Sequence, residues 1–221
     1  MIVINPSVDI LDPAVIESYW KIAPASLGHA LDSGLDSSIN AVWKPVKLVG
    51  RALTVQAYPQ IDSAVSEALN IAQKGDVLVM NRFGESRIAN WGEFAAIGAL
   101  EVGIIGVVTD GPATDQMALR QLKFPTFSRG TSAVTIKRTG IAEGGVNVPV
   151  IVGGVVIAPG DLILADEDGV ITATPEQASL LLPFCQEMEA REIWMRKELK
   201  SGGNLLDLRK AWPLPIPPNR T

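Results

Sequence analysis

The sequence predicts an α/β domain with a mixed sheet, and three observations carry that reading. Residues 48–56 are rich in β-branched residues and alternate in polarity, as a strand does. Residues 91–102 have a helical pattern that meets Gly103 and then the apolar run 104–108, ending at Asp110-Gly111. Helix, glycine and strand in that order make an α/β unit whose functional loop follows the strand's carboxyl end. Beyond about residue 140 the pattern changes to short strands and tight turns, which indicates an antiparallel or mixed layer rather than a doubly wound sheet.

Taken in order, Asp12-Pro13 opens the first helix, with Asp as cap and Pro at the first helical position. Val15, Ile16, Tyr19 and Trp20 mark its apolar face, and a second short helix is expected over 26–31. Asp62 or Ser63 can cap a helix running to Gln73. Lys74-Gly75-Asp76 is a turn, and 77–80 a buried strand. Thr114 or Asp115 can cap a helix through Leu122, and Phe124-Pro125-Thr126-Phe127 begins the next extended piece. Strands are then expected over 148–152, 155–157, 162–165 and 170–173. Thr174-Pro175-Glu176-Gln177 is a complete capping box opening a helix over about 175–201, on which Glu187→Arg191 and Glu192→Arg196 are favourable (i, i+4) pairs. The proline-rich tail over 212–221 is extended, and either docks on a neighbouring subunit or frays. No internal repeat or linker divides the chain, so one domain over 1–221 is the expectation.

Composition narrows the function. With hydrophobic residues at 47% and charged residues at 19%, a globular protein is expected rather than a disordered one. A net charge of -5 with no Lys or Arg run argues against nucleic acid as a partner. No uncharged apolar stretch is long enough for a membrane span, and the first residues do not read as a signal peptide. The one cysteine, Cys185, reads as a small buried hydrophobe in a reducing compartment, so the cytoplasm is the expected location.

Several chemistries lack their residues. There is no P-loop and no G-x-G-x-x-G after a strand. The single histidine, His29, does not favour a His-based triad or a His-rich zinc site. Except for Lys137, the lysines flank turns or lie on charged helix faces, which disfavours a Schiff base. Oxygen ligands remain, concentrated in Trp91-Gly92-Glu93-Phe94, in Asp110 to Asp115, and in Asp166-Glu167-Asp168. A helix N-terminus accepts an anion, and carboxylates nearby can hold a hard divalent ion through one or two direct ligands and water. On pattern alone each group has a plainer role: Asp115 as a helix cap, Asp166 to Asp168 as a turn, Glu93 as a solvated first-turn carboxylate.

The order of phrases resembles the family of the regulator of ribonuclease activity A and the class II 4-hydroxy-4-methyl-2-oxoglutarate aldolases. The phrases are Trp91-Gly92-Glu93, Gly106-Val107-Val108-Thr109-Asp110-Gly111, Asp115, Phe124 to Gly130, Val146 to Val150, Gly153-Gly154-Val155, Pro159-Gly160-Asp161 and Ala165 to Val170. The resemblance implies a layered α/β/β/α fold like a phosphohistidine swivelling domain. It also implies homotrimers, or hexamers of paired trimers, with active sites between subunits. It implies a lyase that cleaves or decarboxylates a pyruvoyl-type α-keto acid, using Mg²⁺ or Mn²⁺. By the same resemblance Asp115 holds the metal and the backbone of Gly92, Glu93 and Phe94 receives the pyruvoyl group. The Glu93 carboxylate orients a water, and a carboxylate of a neighbour's C-terminal helix, Glu192 or else Glu189, supports the metal's water shell.

One position departs from the aldolase pattern. Where the family's motif has an arginine that grips the substrate, this chain has Thr114, one neutral donor in place of a charged fork. Losing a charge-assisted pair costs about 1.5–3 kcal/mol, roughly 10- to 100-fold in rate or affinity. Arg129 or Arg87 could replace it from another direction. The alternatives are a non-catalytic, protein-binding regulator like the ribonuclease-inhibiting branch, or another reaction on the same fold. The inhibiting branch loses the metal-binding Asp, which this chain keeps as Asp115.

Overall fold

The computed structural model describes residues 1–8, 11–61, 63–137 and 141–218; Asp62, the alternative helix cap, lies outside them, as does the end of the tail. Its elements are β1 (Ile2–Ile4), α1 (Pro13–Tyr19), α2 (Pro24–Gly28), β2 (Asn40–Ala41), β3 (Leu48–Gln56), α3 (Ser63–Ile71), β4 (Asp76–Asn81), α4 (Glu93–Glu101) and β5 (Gly106–Thr109). There follow α5 (Gln116–Gln121), β6 (Thr126–Ser128), β7 (Gly144–Val146), β8 (Val150–Val152), β9 (Val155–Ile157), β10 (Leu162–Asp166), β11 (Gly169–Ala173), α6 (Pro175–Lys200) and α7 (Leu205–Ala211).

Strand β3 organises the molecule. Its second half runs parallel to β4, while its first half pairs antiparallel with β10, whose other side carries β11. The main path is β1-β7-β3-β4-β5-β6-β2, with β8 and β9 forming a separate antiparallel hairpin. The sheet is mixed, as the change of turn chemistry along the sequence predicts.

Period-two alternation on the strands builds the layers. Leu53, Val55, Leu78, Met80 and Val107 face α3, α4 and α5 and pack with Ala64, Ala96, Ala99 and Leu119. Their neighbours Leu48, Ala52, Val77, Val79 and Val108 face the opposite way, against Val150, Val152, Ile157, Ile163 and Val170. Leu162 and Leu164 of β10 then point to a third core with Tyr19, Leu27, Leu181, Phe184 and Met188 of α1, α2 and α6. The order helix, sheet, sheet, helix is the expected α/β/β/α arrangement. Truncating one of these side chains to Ala should cost about 2–5 kcal/mol.

Local chemistry sets the ends of the elements. Asp12 Oδ1 accepts from Ala14 N and Thr174 forms its reciprocal capping box with Gln177, both as expected. Helix α2 starts earlier than predicted because Pro24 occupies its first turn. Helix α4 starts two residues later, since Trp91 bridges to Ala113 and Gly92 is extended. Glu192 and Arg196 pair at 3.3 Å on the surface. The Glu187→Arg191 surface pair is corrected: Arg191 is buried and its Nε donates to Trp212 O, while Trp212 Nε1 donates to Glu187 Oε1. Those bonds, with Trp194 tilted on Trp212, hold the start of the tail against α6 of its own chain. Helix α7, capped by Asn204, was not legible as a separate element.

Candidate active site

Three chain segments meet at the carboxyl ends of β4, β5 and β6. The loop after β5 is stitched between them: Thr114 N donates to Trp91 O at 2.8 Å, Ala113 N to Gly130 O at 3.0 Å and Ser132 N to Ala113 O at 2.8 Å. Asp110 is buried and both its oxygens are engaged, Oδ1 by Arg82 N and Oδ2 by Gly84 N at 3.1 Å. It therefore fixes the turn after β4 and is not a free ligand. Arg82, fully buried, donates to the carbonyls of Ala57, Tyr58 and Ile88 and ties the loop after β3 to its own loop after β4. Gly111 is required beside it, because a Cβ there would lie 2.9 Å from Arg82 Cγ.

Asp115 stands where the loop turns into α5. Its backbone is left-handed (φ 55, ψ 39) and its side chain does not cap its own helix. Instead Oδ2 accepts from Glu93 N at 3.0 Å and Oδ1 accepts from the Thr114 hydroxyl at 3.2 Å. The first amide of α4 is thus held by the carboxylate at the start of α5. Gly92 permits the approach, since a Cβ there would meet Asp115 Oδ2 at 2.5 Å and Thr114 Cγ2 at 2.6 Å.

Gly92, Phe94, Thr114 and Asp115 line one cleft of about 470 Å³, together with Asn90, Trp91 and residues of α3. Phe94 stands 86% exposed at its mouth. The amides of Phe94 and Ala95, at the positive end of α4, have no acceptor among the described residues. Asn90 Nδ2 and Trp91 Nε1 are buried donors without a partner among the described residues. The cleft wall is therefore rich in donors and suits an anionic, acceptor-rich ligand. Asn90 escaped sequence reasoning; a polar residue directly before the Trp-Gly pair was its only signal.

Other expected residues fall elsewhere. The Glu93 side chain is half-exposed and is not among the residues lining the cleft. Glu192 lies on α6, which packs on α1, α2 and β11, and its partner in the chain is Arg196. The Oε1 of Glu189, the other candidate on α6, accepts from Ala23 N and from Ser26 Oγ, both at 2.8 Å, and anchors α6 to α2. Asp166 to Asp168 form the β10–β11 turn, where Asp166 Oδ1 accepts from Asp168 N and Glu167 Oε1 from Val46 N. Neither candidate arginine is among the residues lining the cleft. Asp36, whose carboxyl is held below its usual range first by hydrogen bonds from Ser38, is also lowered by the charge of Arg129. Arg87 lines a neighbouring hollow of about 380 Å³ with Glu85 and Lys137. His29 is exposed at the end of α2.

For a divalent ion the cleft offers one exposed carboxylate, and no group of three His, Cys, Asp or Glu among the described residues is arranged to hold a metal ion. That donor set does not suit a closed zinc site but fits Mg²⁺ or Mn²⁺, hard ions that accept one or two carboxylates and keep several waters.

The structure is a layered α/β/β/α domain with a cleft at a helix N-terminus that one exposed carboxylate, Asp115, borders. The profile of the RraA-like (Aldolase/RraA) family matches residues 16–172, and the chain belongs to that family. A protein of Halalkalibacterium halodurans, named as a candidate 4-hydroxy-4-methyl-2-oxoglutarate aldolase, is 37% identical over 177 residues, covering 79% of this chain and 83% of its own. Among solved structures, an uncharacterized protein from Pseudomonas syringae pv. tomato superposes with a TM-score of 0.81 at 27% identity, covering 94% of this chain and 96% of its own. Streptomyces coelicolor RraAS2, described as an unusual member of the RNase ES inhibitor RraA family, gives a TM-score of 0.76 at 27% identity over 86% of this chain and 98% of its own. The family resemblance and the fold class read from the sequence are both borne out. No described helix is long and apolar enough to cross a membrane.

Proposed function

We propose that the chain is a lyase that breaks a carbon–carbon bond of a pyruvoyl-type α-keto acid, by aldol cleavage or decarboxylation, in the cleft of Gly92, Phe94, Thr114 and Asp115. The observation that carries this reading is Asp115: its carboxylate is exposed in the cleft, held by Glu93 N and Thr114 rather than by its own helix. The relatives named as aldolases support it. The amides at the start of α4 receive the substrate's carboxylate and keto oxygens, with the helix dipole favouring their charge. Thr114 contributes a neutral contact where an arginine would clamp. Glu93 orients a water that moves the proton. Asp115, joined by Glu192 from a second copy of the chain, would hold Mg²⁺ or Mn²⁺, which would supply positive charge beside the substrate's keto oxygen. The protein acts as a cytoplasmic homotrimer or hexamer in this reading.

The test is pyruvate release from oxaloacetate and 4-hydroxy-4-methyl-2-oxoglutarate with added Mg²⁺ or Mn²⁺. Release should need the metal, Asp115→Ala should abolish it, and Thr114→Arg should raise it by about 10- to 100-fold. Metal-independent release, or none across a panel of α-keto acids, would instead favour a protein-binding regulator, the reading that the likeness to RraAS2 supports.

A further inference from the structure

We infer that Asn90 is a substrate-contacting residue of the cleft, its side-chain amide donating to a carboxylate oxygen of the bound acid. The inference rests on the lyase reading and adds to that site a neutral donor on a wall that carries no cationic side chain.

The polar side chains on the cleft wall are Ser66, Asn90, Thr114, Asp115 and Thr135, with the indole of Trp91. Ser66, Asp115 and Thr135 are exposed and Thr114 is half-exposed, so solvent reaches them. Asn90 differs: it is only 9% exposed, and its Nδ2 is buried with no partner among the described residues. Buried amides are normally hydrogen-bonded, and one left open on a cleft wall is matched by a ligand or by an ordered water. Trp91 Nε1 is the neighbouring open donor. Its ring is 1% exposed and packed on Phe124 with centroids 5.7 Å apart, so it cannot swing toward the cleft. The Asn90 amide can, because rotation about its Cβ–Cγ bond is soft and roughly two-fold and exchanges Nδ2 with Oδ1.

The backbone on both sides of Asn90 is pinned. Ala89 N donates to Val134 O at 2.8 Å, Ile136 N to Ala89 O at 3.2 Å and Thr114 N to Trp91 O at 2.8 Å. The last of these bonds ties the segment to the loop that carries Asp115. Two residues beyond Asn90, Gly92 is the N-cap of α4, whose Phe94 and Ala95 amides have no acceptor among the described residues. An acid seated at that helix end has Asn90 in the same cleft, and its carboxylate has more lone pairs than two amides fill. Asn90 takes one of the rest.

The test titrates oxalate, a planar and non-reacting analogue of a pyruvoyl acid, into the full chain with Mg²⁺ in a calorimeter. Wild type, Asn90→Leu and Asn90→Ala are compared, and thermal unfolding of each is recorded without oxalate. Both variants should bind oxalate about 10- to 100-fold more weakly, the loss of one hydrogen bond to a charged group. Asn90→Leu, close in size and without an open donor, should keep the wild-type Tm or raise it, since an apolar group there leaves nothing unbonded. A merely structural amide predicts the opposite split, with Tm lowered and affinity kept. Unchanged affinity in both variants, or affinity lost only together with several degrees of Tm in both, overturns the inference and assigns the amide to an ordered water or to the fold. The lyase reading survives either result if the wild type releases pyruvate. Absence of oxalate and pyruvate binding by the wild type brings down the keto-acid site, and this inference with it.

Discussion

Gly92→Ala should disable the site with little damage to the fold, and the structure gives the size of the effect. Gly92 is extended (φ -158, ψ -165), a conformation open to any residue, so the penalty is purely steric. The new methyl would stand 2.5 Å from Asp115 Oδ2 and 2.6 Å from Thr114 Cγ2. Ordinary contact begins near 3.4 Å, so the carboxylate has to retreat by roughly 1 Å. That movement lengthens the 3.0 Å bond from Glu93 N, a hydrogen bond to a charged group worth about 1.5–3 kcal/mol. A displacement of about 1 Å at a reacting centre costs on the order of 100-fold in rate. Because Asp115 is exposed and Thr114 half-exposed, relaxation is possible and the loss of Tm should stay within a few degrees. The assay couples pyruvate release to NADH oxidation by lactate dehydrogenase, with thermal unfolding recorded alongside. Activity within about 3-fold of wild type would refute the argument, since it would mean that the placement of the Asp115 carboxylate does not govern turnover.

Three further outcomes are expected. Glu189→Ala should lower stability by about 2 kcal/mol, or roughly 4–8 °C in Tm, because Ala23 N and Ser26 Oγ lose their acceptor, while kcat stays unchanged. Burial raises the Asp161 carboxyl above its usual range, an effect opposed by the hydrogen bond from Ala158 N and reinforced by Glu176. The stability this group contributes is therefore complete below the ordinary carboxylate range and is lost as pH rises through its raised value. Asp161→Asn keeps an acceptor for Ala158 N and cannot ionise, so its Tm should gain on the wild type as pH rises above the ordinary carboxylate range; an equal or shrinking difference would contradict this. Cys185 is buried, and burial pushes its thiol up to about 12, so it should resist iodoacetamide at pH 8 in the native protein and react after denaturation, as mass spectrometry would record.

The core was legible in the sequence because burial and local geometry leave periodic marks. The run 48–56 forms β3 at its predicted ends, and the Thr174 capping box opens α6 where four residues alone specify it. Asp115 and the Gly92 loop were found through the ordered phrases of a family, since a lone carboxylate after a strand has no period of its own. Long-range pairings were not legible. Glu189 reads like any charge on a helix face until α2 folds across it, and Arg191 looks solvated until Trp212 turns back to cover it.

What the sequence by itself determined is therefore the alternation of strands and helices and the capped boundaries, which rest on neighbours within a few residues, and the membership of a family, which rests on the order of short phrases along the chain. Only the tertiary structure decided the surroundings of the carboxylates. Asp110 and Asp115 stand in one loop of identical chemistry, yet one is buried on the amides of Arg82 and Gly84 and the other is exposed in a cleft. The physical reason is that a carboxylate's role depends on which donors surround it, and those donors come from segments about 20 to 30 residues away along the chain.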